Sequence, residues 1–323
     1  MAVAVVTGAN GFIGSHLTER LVAEGHRVRC LVRPTSDRRW IAGLPVEYVT
    51  GDLTEAGTAD ETVAGAEWVF HLGGAVKAVD EAGFFRVNAE GTRTLAEASK
   101  RAGVKRFVLL SSLAAAGPSP DGRPLREDDT PRPVSAYGRS KLAAERFAAG
   151  SGVPVVVLRP PAVYGPRDRD VLPFFRLAAR GIALVLGEPK RPLSLIHVSD
   201  IVAYLVRAAS ATGAEGRTYF VNDGAVHTWV GVAERLVRTL GRTPRRLRVG
   251  GGALWLAACF EERRAALTGR RPLVTRERLI EFRAGAWVCD GRRARDELGL
   301  EPRIGLEEGL ATTAAWYREQ GWL

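Results

Sequence analysis

The chain has 323 residues, 46% hydrophobic and 25% charged, which excludes wholesale disorder and leaves enough chain for a large α/β domain with a smaller partner. Its 46 lysines and arginines against 36 acids give a formal net charge of +10, and a basic protein favours anionic ligands, nucleotides included. Cys30, Cys259 and Cys289 are odd in number and widely spaced, which fits neither a disulfide framework nor a metal site and points to a reducing cytoplasm. In chain order, Ala2–Thr7 is a continuous apolar run, the pattern of a buried parallel strand. Phe12–Glu24 has helical spacing. Arg27–Val32, Val46–Val49, Trp68–Leu72 and Arg106–Leu110 read as the next strands, with a helix over Asp80–Ala102 before the last of these. Val153–Leu158 is a sixth strand. Alternation of this kind implies a parallel sheet with helices on both faces.

From about Tyr164 the regularity fails, and Pro166, Pro173, Pro189 and Pro192 shorten the segments. Ile196–Ser210 reads as a short strand feeding a helix, Thr218–Val221 as a strand, and Trp229–Leu240 as an amphipathic helix. The remainder reads as helical, broken at Arg270–Pro272 and ending in Leu306–Gln320. The N-terminus carries no charged region before its glycine turn, so no signal peptide is expected. No apolar run reaches the roughly 20 residues that span a bilayer, and the longest, Val249–Phe260, is too short.

The strongest local signal is Thr7-Gly8-Ala9-Asn10-Gly11-Phe12-Ile13-Gly14, which follows the first strand and opens the first helix. Gly8 permits a tight turn, Gly11 lets the backbone approach a pyrophosphate, and Gly14 lets helix and strand pack closely. The pyrophosphate would sit at the helix N-terminus, held by free N–H groups and the helix dipole. The residue closing the second strand should read the adenosine ribose, where a carboxylate selects NAD and an arginine accommodates the 2′-phosphate of NADP. That residue is Arg33, with Arg38 and Arg39 after it, so NADP(H) is expected over NAD(H). Asp52, in Gly51-Asp52-Leu53, could meet the adenine amine.

Tyr137 and Lys141 lie four residues apart in Tyr137-Gly138-Arg139-Ser140-Lys141, one turn apart on a helix. A nearby ammonium favours the phenolate, which suits Tyr137 to exchange a proton with a carbonyl or hydroxyl oxygen near neutral pH. Ser112 ends the fifth strand, where a parallel sheet opens its ligand crevice.

Taken together, Thr7–Gly14, Gly51–Leu53, Val69–Gly73, Asn88–Thr92, Ser111–Ser112, Tyr137–Lys141, Arg159–Pro166 and Ile196–Asp200 resemble the extended short-chain dehydrogenase/reductase superfamily over nearly the whole chain. The resemblance implies an α/β fold with a Rossmann doubly wound parallel sheet and a smaller, mainly helical C-terminal substrate domain. The expected division is residues 1–165 with 196–222 for the dinucleotide, and 166–195 with 223–323 for the substrate. It implies that Tyr137 is the general acid/base, that Lys141 bonds the nicotinamide ribose, that Ser112 polarises the reacting oxygen, and that Asn88 orders the site. Gly8, Asn10, Gly11, Phe12, Ile13, Gly14, Arg33, Asp52, Leu53, Leu72, Gly73, Pro160 and Val163 are the remaining expected cofactor contacts. A homodimer through helices including that of Tyr137 is also implied.

The motif details lean toward reductases of less polar ketones, such as 3β-hydroxysteroid dehydrogenases and dihydroflavonol reductases, and away from sugar-nucleotide epimerases. Ala116 stands where epimerases carry tyrosine, Ala162 where they carry asparagine, and Leu193 where an arginine meets the diphosphate, although Arg191 could compensate. A diphosphate buried without a cationic partner is costly. Ala253–Phe260 and Trp287 could line an apolar pocket, rest against a membrane, or serve as ordinary core or dimer contacts. The dispersed arginines and the unclustered histidines point to neither nucleic acid nor a metal. The expected function is NADP(H)-dependent hydride transfer to a ketone, or from a secondary alcohol, on a moderately apolar small molecule. An epimerase or dehydratase with tightly bound NAD is the alternative, and a non-catalytic dinucleotide sensor a remote one.

Overall fold

The computed structural model describes residues 1–55, 57–268 and 276–323. The first half alternates strand and helix. β1 (Val3–Thr7) leads through the glycine turn into α1 (Phe12–Ala23), and β2 (Arg27–Val32) and β3 (Val46–Thr50) follow. α2 (Thr58–Val63) precedes β4 (Trp68–His71). α3 (Glu81–Phe84), a π-helical turn over Phe85–Glu90 and α4 (Gly91–Arg101) then lead to β5 (Arg106–Leu110). α5 (Leu113–Ala116) and α6 (Ala136–Gly150) precede β6 (Val155–Arg159).

The second half mixes short strands with helices. They are β7 (Ala162–Tyr164), α7 (Leu172–Ala178), β8 (Ile182–Leu186), β9 (Pro192–Leu193), β10 (Leu195–His197), α8 (Val198–Ser210) and β11 (Thr218–Phe220). After them come β12 (His227–Thr228), α9 (Trp229–Thr239), β13 (Arg245–Val249), α10 (Gly251–Thr268), α11 (Arg276–Arg283), α12 (Arg292–Leu298) and α13 (Leu306–Glu319).

Seven parallel strands form the main sheet in the order β3-β2-β1-β4-β5-β6-β11. The chain winds outward from β1 in one direction and from β4 in the other. The order therefore reverses between β1 and β4, and a ligand crevice opens beyond their C-terminal ends. Residues two apart on a strand share a face. Accordingly Ala4, Val6, Phe70 and Val108 pack under α1 and α8 with Leu17, Leu21 and Ile201, while Val5, Val69, Phe107 and Leu109 pack with Val63 and Leu95 of α2 and α4. Every residue of β5 and β6 is buried, and apart from the terminal Arg106 and Arg159 these strands read as apolar runs. A third core gathers α7, β8, α9 and α13 around Phe175, Val237, Leu310 and Tyr317.

Three readings of the sequence change. The helix expected over Asp80–Ala102 is interrupted by the π-helical turn, which carries Asn88. The segment after Trp229–Leu240 is not wholly helical, because Arg245–Val249 is a strand paired in parallel with β8. Its sequence, Arg-Arg-Leu-Arg-Val, alternates over only four residues and is almost wholly exposed, and its pairing depends on a strand some 60 residues earlier, which local periodicity cannot report. Small strand pairs β7–β10 and β9–β12 also accompany the C-terminal helices. The break expected at Arg270–Pro272 lies outside the described residues.

Candidate active site

The glycine turn is dictated by contact. Gly8 has φ +71°, and a Cβ there would lie 2.9 Å from the Gly73 nitrogen and the Leu72 carbonyl carbon. A Cβ on Gly14 would lie 2.0 Å from the Gly8 oxygen. Only glycine lets α1 begin this close to the end of β1. Gly11 precedes α1 without a side-chain cap, so the N–H groups of the first turn have no intrahelical acceptor. This is a cradle for an anion.

Beyond β2, Arg33 is exposed and its backbone N–H donates to Ser36 Oγ at 3.2 Å. Arg38 instead lies over the Tyr48 ring, 4.8 Å from its centroid, and Arg39 donates to Asp37 at 2.7 Å. Of the three arginines, Arg33 is the one that lines the cleft, together with Ser36 and Asp37. Asp37 gave no signal in the sequence. Its backbone oxygen accepts from Asn10 Nδ2 at 3.2 Å, and the Arg39 N–H holds its carboxyl below the usual range. Asp52 Oδ1 accepts from the N–H and hydroxyl of Thr54 at 3.0 and 2.8 Å, which fixes the loop after β3.

α6 starts at the N-cap Ser135, whose Oγ accepts from Gly138 N–H at 2.9 Å and donates to Glu281 of α11 at 2.5 Å. The first turn of α6 carries Tyr137, and the Phe84 ring meets the Tyr137 ring edge-on at 6.0 Å. A Cβ on Gly138 would lie 2.3 Å from the Ala114 oxygen, so α5 sits directly on α6. That contact brings Ser112 beside the same helix. Ser112 Oγ accepts from Ala114 N–H at 3.1 Å. One turn on from Tyr137, Lys141 is buried and donates to the Leu110 oxygen at 2.7 Å. Burial pulls its pKa down to about 8, opposed by the Glu145 charge.

Asn88 is held from both sides. It accepts from Ala75 N–H at 2.7 Å and donates to the Ala75 oxygen at 3.0 Å and Ser140 Oγ at 2.9 Å. Gly74 leaves room for it, since a Cβ there would lie 3.0 Å from Asn88 Oδ1. The π-helical turn aims this side chain, a device frequent at functional sites.

Two buried networks behind the site were not evident from sequence. Glu145, one turn beyond Lys141, takes two bonds from Arg159, at 2.9 and 2.6 Å, and a third from Ser111 Oγ. Adjacent serines therefore divide their tasks, with Ser111 bracing the sheet and Ser112 bordering the cleft. His71 joins β1 to the Asn88 turn. The Thr92 hydroxyl donates to the Asn88 oxygen at 2.6 Å and so accepts from His71 Nε2 at 2.9 Å. Gly73 N–H donates to Thr7 Oγ1, whose own proton goes to His71 Nδ1 at 2.6 Å. This arrangement needs a neutral ring. Burial, with the Lys141 charge, lowers the His71 pKa from 6.5 to about 3. Because the unfolded chain binds the extra proton between these values, this contribution to stability is full above about pH 6.5 and is lost as pH falls toward 3. Urea unfolding of His71→Gln should show a flatter rise in stability with pH than wild type across that window; equal slopes would remove His71 from the account.

One cleft of about 2190 Å³ joins these parts. All the cofactor contacts expected from sequence line it: Gly8, Asn10, Gly11, Phe12, Ile13, Gly14, Arg33, Asp52, Leu53, Leu72, Gly73, Pro160 and Val163. Ser112, Tyr137, Lys141 and Asn88 line it as well. A pocket for a single small ligand is about 300–1,000 Å³, so there is room for a dinucleotide and a second molecule. The second half of the chain adds apolar side chains to the lining, Phe174, Leu193, Leu195, Trp229 and Trp287, together with charged Arg167, Arg169 and Glu188. Arg191 also lies along it.

The chain was compared with known proteins. The profile of the NAD dependent epimerase/dehydratase family matches residues 4–221. A ceramide reductase of Caulobacter vibrioides is 34% identical over 324 residues, covering 99% of this chain and 96% of its own. A 4-hydroxy-2-methyl-3-oxo-4-farnesyl-3,4-dihydroquinoline-1-oxide ketoreductase of Stigmatella aurantiaca is 31% identical, covering 94% and 93%. Among solved structures, MoeE5 in complex with UDP-glucuronic acid and NAD has a TM-score of 0.77 at 29% identity, covering 98% of this chain and 99% of its own. The parallel sheet, the glycine cradle and these matches agree: the chain belongs to the NAD-dependent epimerase/dehydratase family and is an enzyme of the extended short-chain dehydrogenase/reductase type.

Proposed function

We propose that the protein uses NADPH to reduce a carbonyl on a bulky apolar molecule, or runs the reverse oxidation of a secondary alcohol. The observation that carries this reading is the apolar part of the cleft lining, formed by Phe174, Leu193, Leu195, Trp229 and Trp287. It is supported by the two relatives named as reductases, whose names specify a ceramide and a farnesyl-bearing substrate. The glycine cradle fits the cofactor, because a Cβ at Gly8 or Gly14 would collide with backbone. When bound, the nicotinamide donates or accepts the hydride.

The chain's residues do the rest. The Tyr137 hydroxyl gives a proton to the substrate oxygen in reduction and takes it back in oxidation. Ser112 donates a hydrogen bond to that oxygen. Lys141, braced on the Leu110 oxygen, bonds the nicotinamide ribose and favours the Tyr137 phenolate. Asn88 holds the Ala75 backbone at the edge of the site. Residues 166–195 and 223–323 would supply the substrate wall. A homodimer through α6 and a cytoplasmic setting complete the proposal, the latter in keeping with free Cys30, Cys259 and Cys289.

Arg33→Asp should weaken NADPH binding by about 10- to 100-fold, the worth of one charge-assisted bond, and improve NADH relative to it. An unchanged preference would place the 2′-phosphate contact elsewhere. For the substrate, NADPH consumption is to be followed with ketosteroids, flavanonols and long-chain 3-oxo amides, and UDP-sugars are to be tested by product analysis, because an epimerase or dehydratase returns its hydride and consumes no cofactor. Turnover confined to the apolar carbonyls is expected. Turnover of UDP-sugars alone would favour the second reading, an epimerase or dehydratase, which Arg191 in the cleft wall supports.

A further inference from the structure

The first ten residues of α10, from Gly251 to Phe260, carry no charge. Residues 252, 256, 260 and 263 are exposed, and their spacing of four, four and three marks one outward stripe of a helix. Polar groups ordinarily hold such a stripe. Here its centre is Leu256, 72% exposed, and Phe260, 66% exposed. Trp255 beside them and Ile280 on α11 are partly exposed and also line the cleft. Val76 and Val79, again exposed, line the cleft from another segment. Exposed apolar side chains thus stand at the edge of the cleft on three segments, beside exposed Asp80, Glu81 and Arg86, and the α10 stripe adjoins that edge at Trp255.

Cations bracket the stripe. Exposed Arg263 follows Phe260 by one turn. At the other end, Arg283 is also exposed, and its Nε lies 3.9 Å from where a Gly251 Cβ would be. β13, which leads into α10, adds exposed Arg245, Arg246 and Arg248. Arg246 and Arg248 are shared with Glu234 and Glu188, in surface ion pairs that water screens.

We propose that α10 docks on an anionic lipid bilayer. Leu256 and Phe260 enter the headgroup boundary, Arg263 and Arg283 meet lipid phosphates, and the cleft entrance opens onto the membrane. Among the described residues no helix is long and apolar enough to cross a membrane, so the contact is peripheral. The bilayer is favoured over a second copy of the chain because a copy seated on this stripe would cover the entrance. The purpose of docking, delivery of an apolar substrate, rests on the reductase reading, but the docking itself can be measured without turnover.

The full chain is to be sedimented with vesicles of phosphatidylcholine alone and of phosphatidylcholine with phosphatidylglycerol, at low and high salt. Binding that requires phosphatidylglycerol and weakens with salt is expected. Leu256→Ala with Phe260→Ala should lose about tenfold or more of it while keeping NADPH affinity, since neither side chain lines the cleft. Arg263→Gln with Arg283→Gln, which leaves the apolar stripe intact, should lose the phosphatidylglycerol dependence. Val226→Ala, an exposed apolar position away from the cleft, should bind as wild type. No binding to either vesicle, or wild-type binding by the double alanine variant, would overturn the proposal. So would a dimer that dissociates on the same substitutions, which would assign the stripe to a second copy. Vesicle binding without carbonyl reduction would leave docking standing and remove the reductase reading; the converse would do the reverse.

Discussion

Tyr137→Phe is expected to cut turnover by about 10²- to 10⁴-fold while leaving NADPH affinity nearly unchanged. The substitution removes one hydroxyl and keeps the ring that meets Phe84 edge-on at 6.0 Å. The start of α6 does not depend on that hydroxyl, because Ser135 caps the helix through Gly138 N–H. A large loss therefore reports a missing proton donor and not a displaced helix. Steady-state rates with an apolar ketone, beside fluorescence titration with NADPH, make the test. A variant that retains turnover would take the acid/base role away from Tyr137. One that loses NADPH affinity in proportion would show that the hydroxyl serves the cofactor and not the substrate.

Gly14→Ala should be nearly as damaging, by a different route. Its Cβ would lie 2.0 Å from the Gly8 oxygen and 2.7 Å from the Gly8 carbonyl carbon, both backbone atoms. No side chain can move aside. Either α1 shifts along the sheet or the turn opens, and both disturb the anion cradle. Overpacking of this kind costs about 1–3 kcal/mol or more, and NADPH affinity should fall with it. Gly43→Ala is the control, since a Cβ there would meet nothing within 4 Å, and it should stay within about 0.5 kcal/mol of wild type. Urea unfolding and NADPH titration of both variants decide the matter. A Gly14→Ala protein as stable and as tight-binding as the control would mean that the close packing at this turn is not required.

The sheet was legible because its strands are short, bounded by turn residues and, apart from the edge strand β3, largely buried. β5 and β6, buried at every position, show the signal at its clearest. Gly8 and Gly14 were legible for the same local reason, as their tasks are set by residues within a few positions and by the adjoining strand. What escaped the sequence depends on tertiary contact. Nothing local to Glu145 marks it as buried, because its partners Arg159 and Ser111 come from neighbouring strands of the folded sheet. Ser135 caps α6, and nothing local ties it to Glu281, 146 residues away. The π-helical turn at Asn88 leaves little mark on an apolar period, because it shifts the helix by one residue where only Asn88 and the small Ala89 are buried. β13 was hidden by its three arginines and recognisable only by its partner β8.

We infer that NADPH is the cofactor exchanged in each cycle and that its hydride goes to an apolar carbonyl. The most direct test is to denature the purified protein, identify any nucleotide released, and titrate the emptied protein with NADPH and NADH. The account predicts far less than one nucleotide per chain and tighter binding of NADPH, through Arg33 at the end of β2. Stoichiometric, tightly held NAD would contradict it.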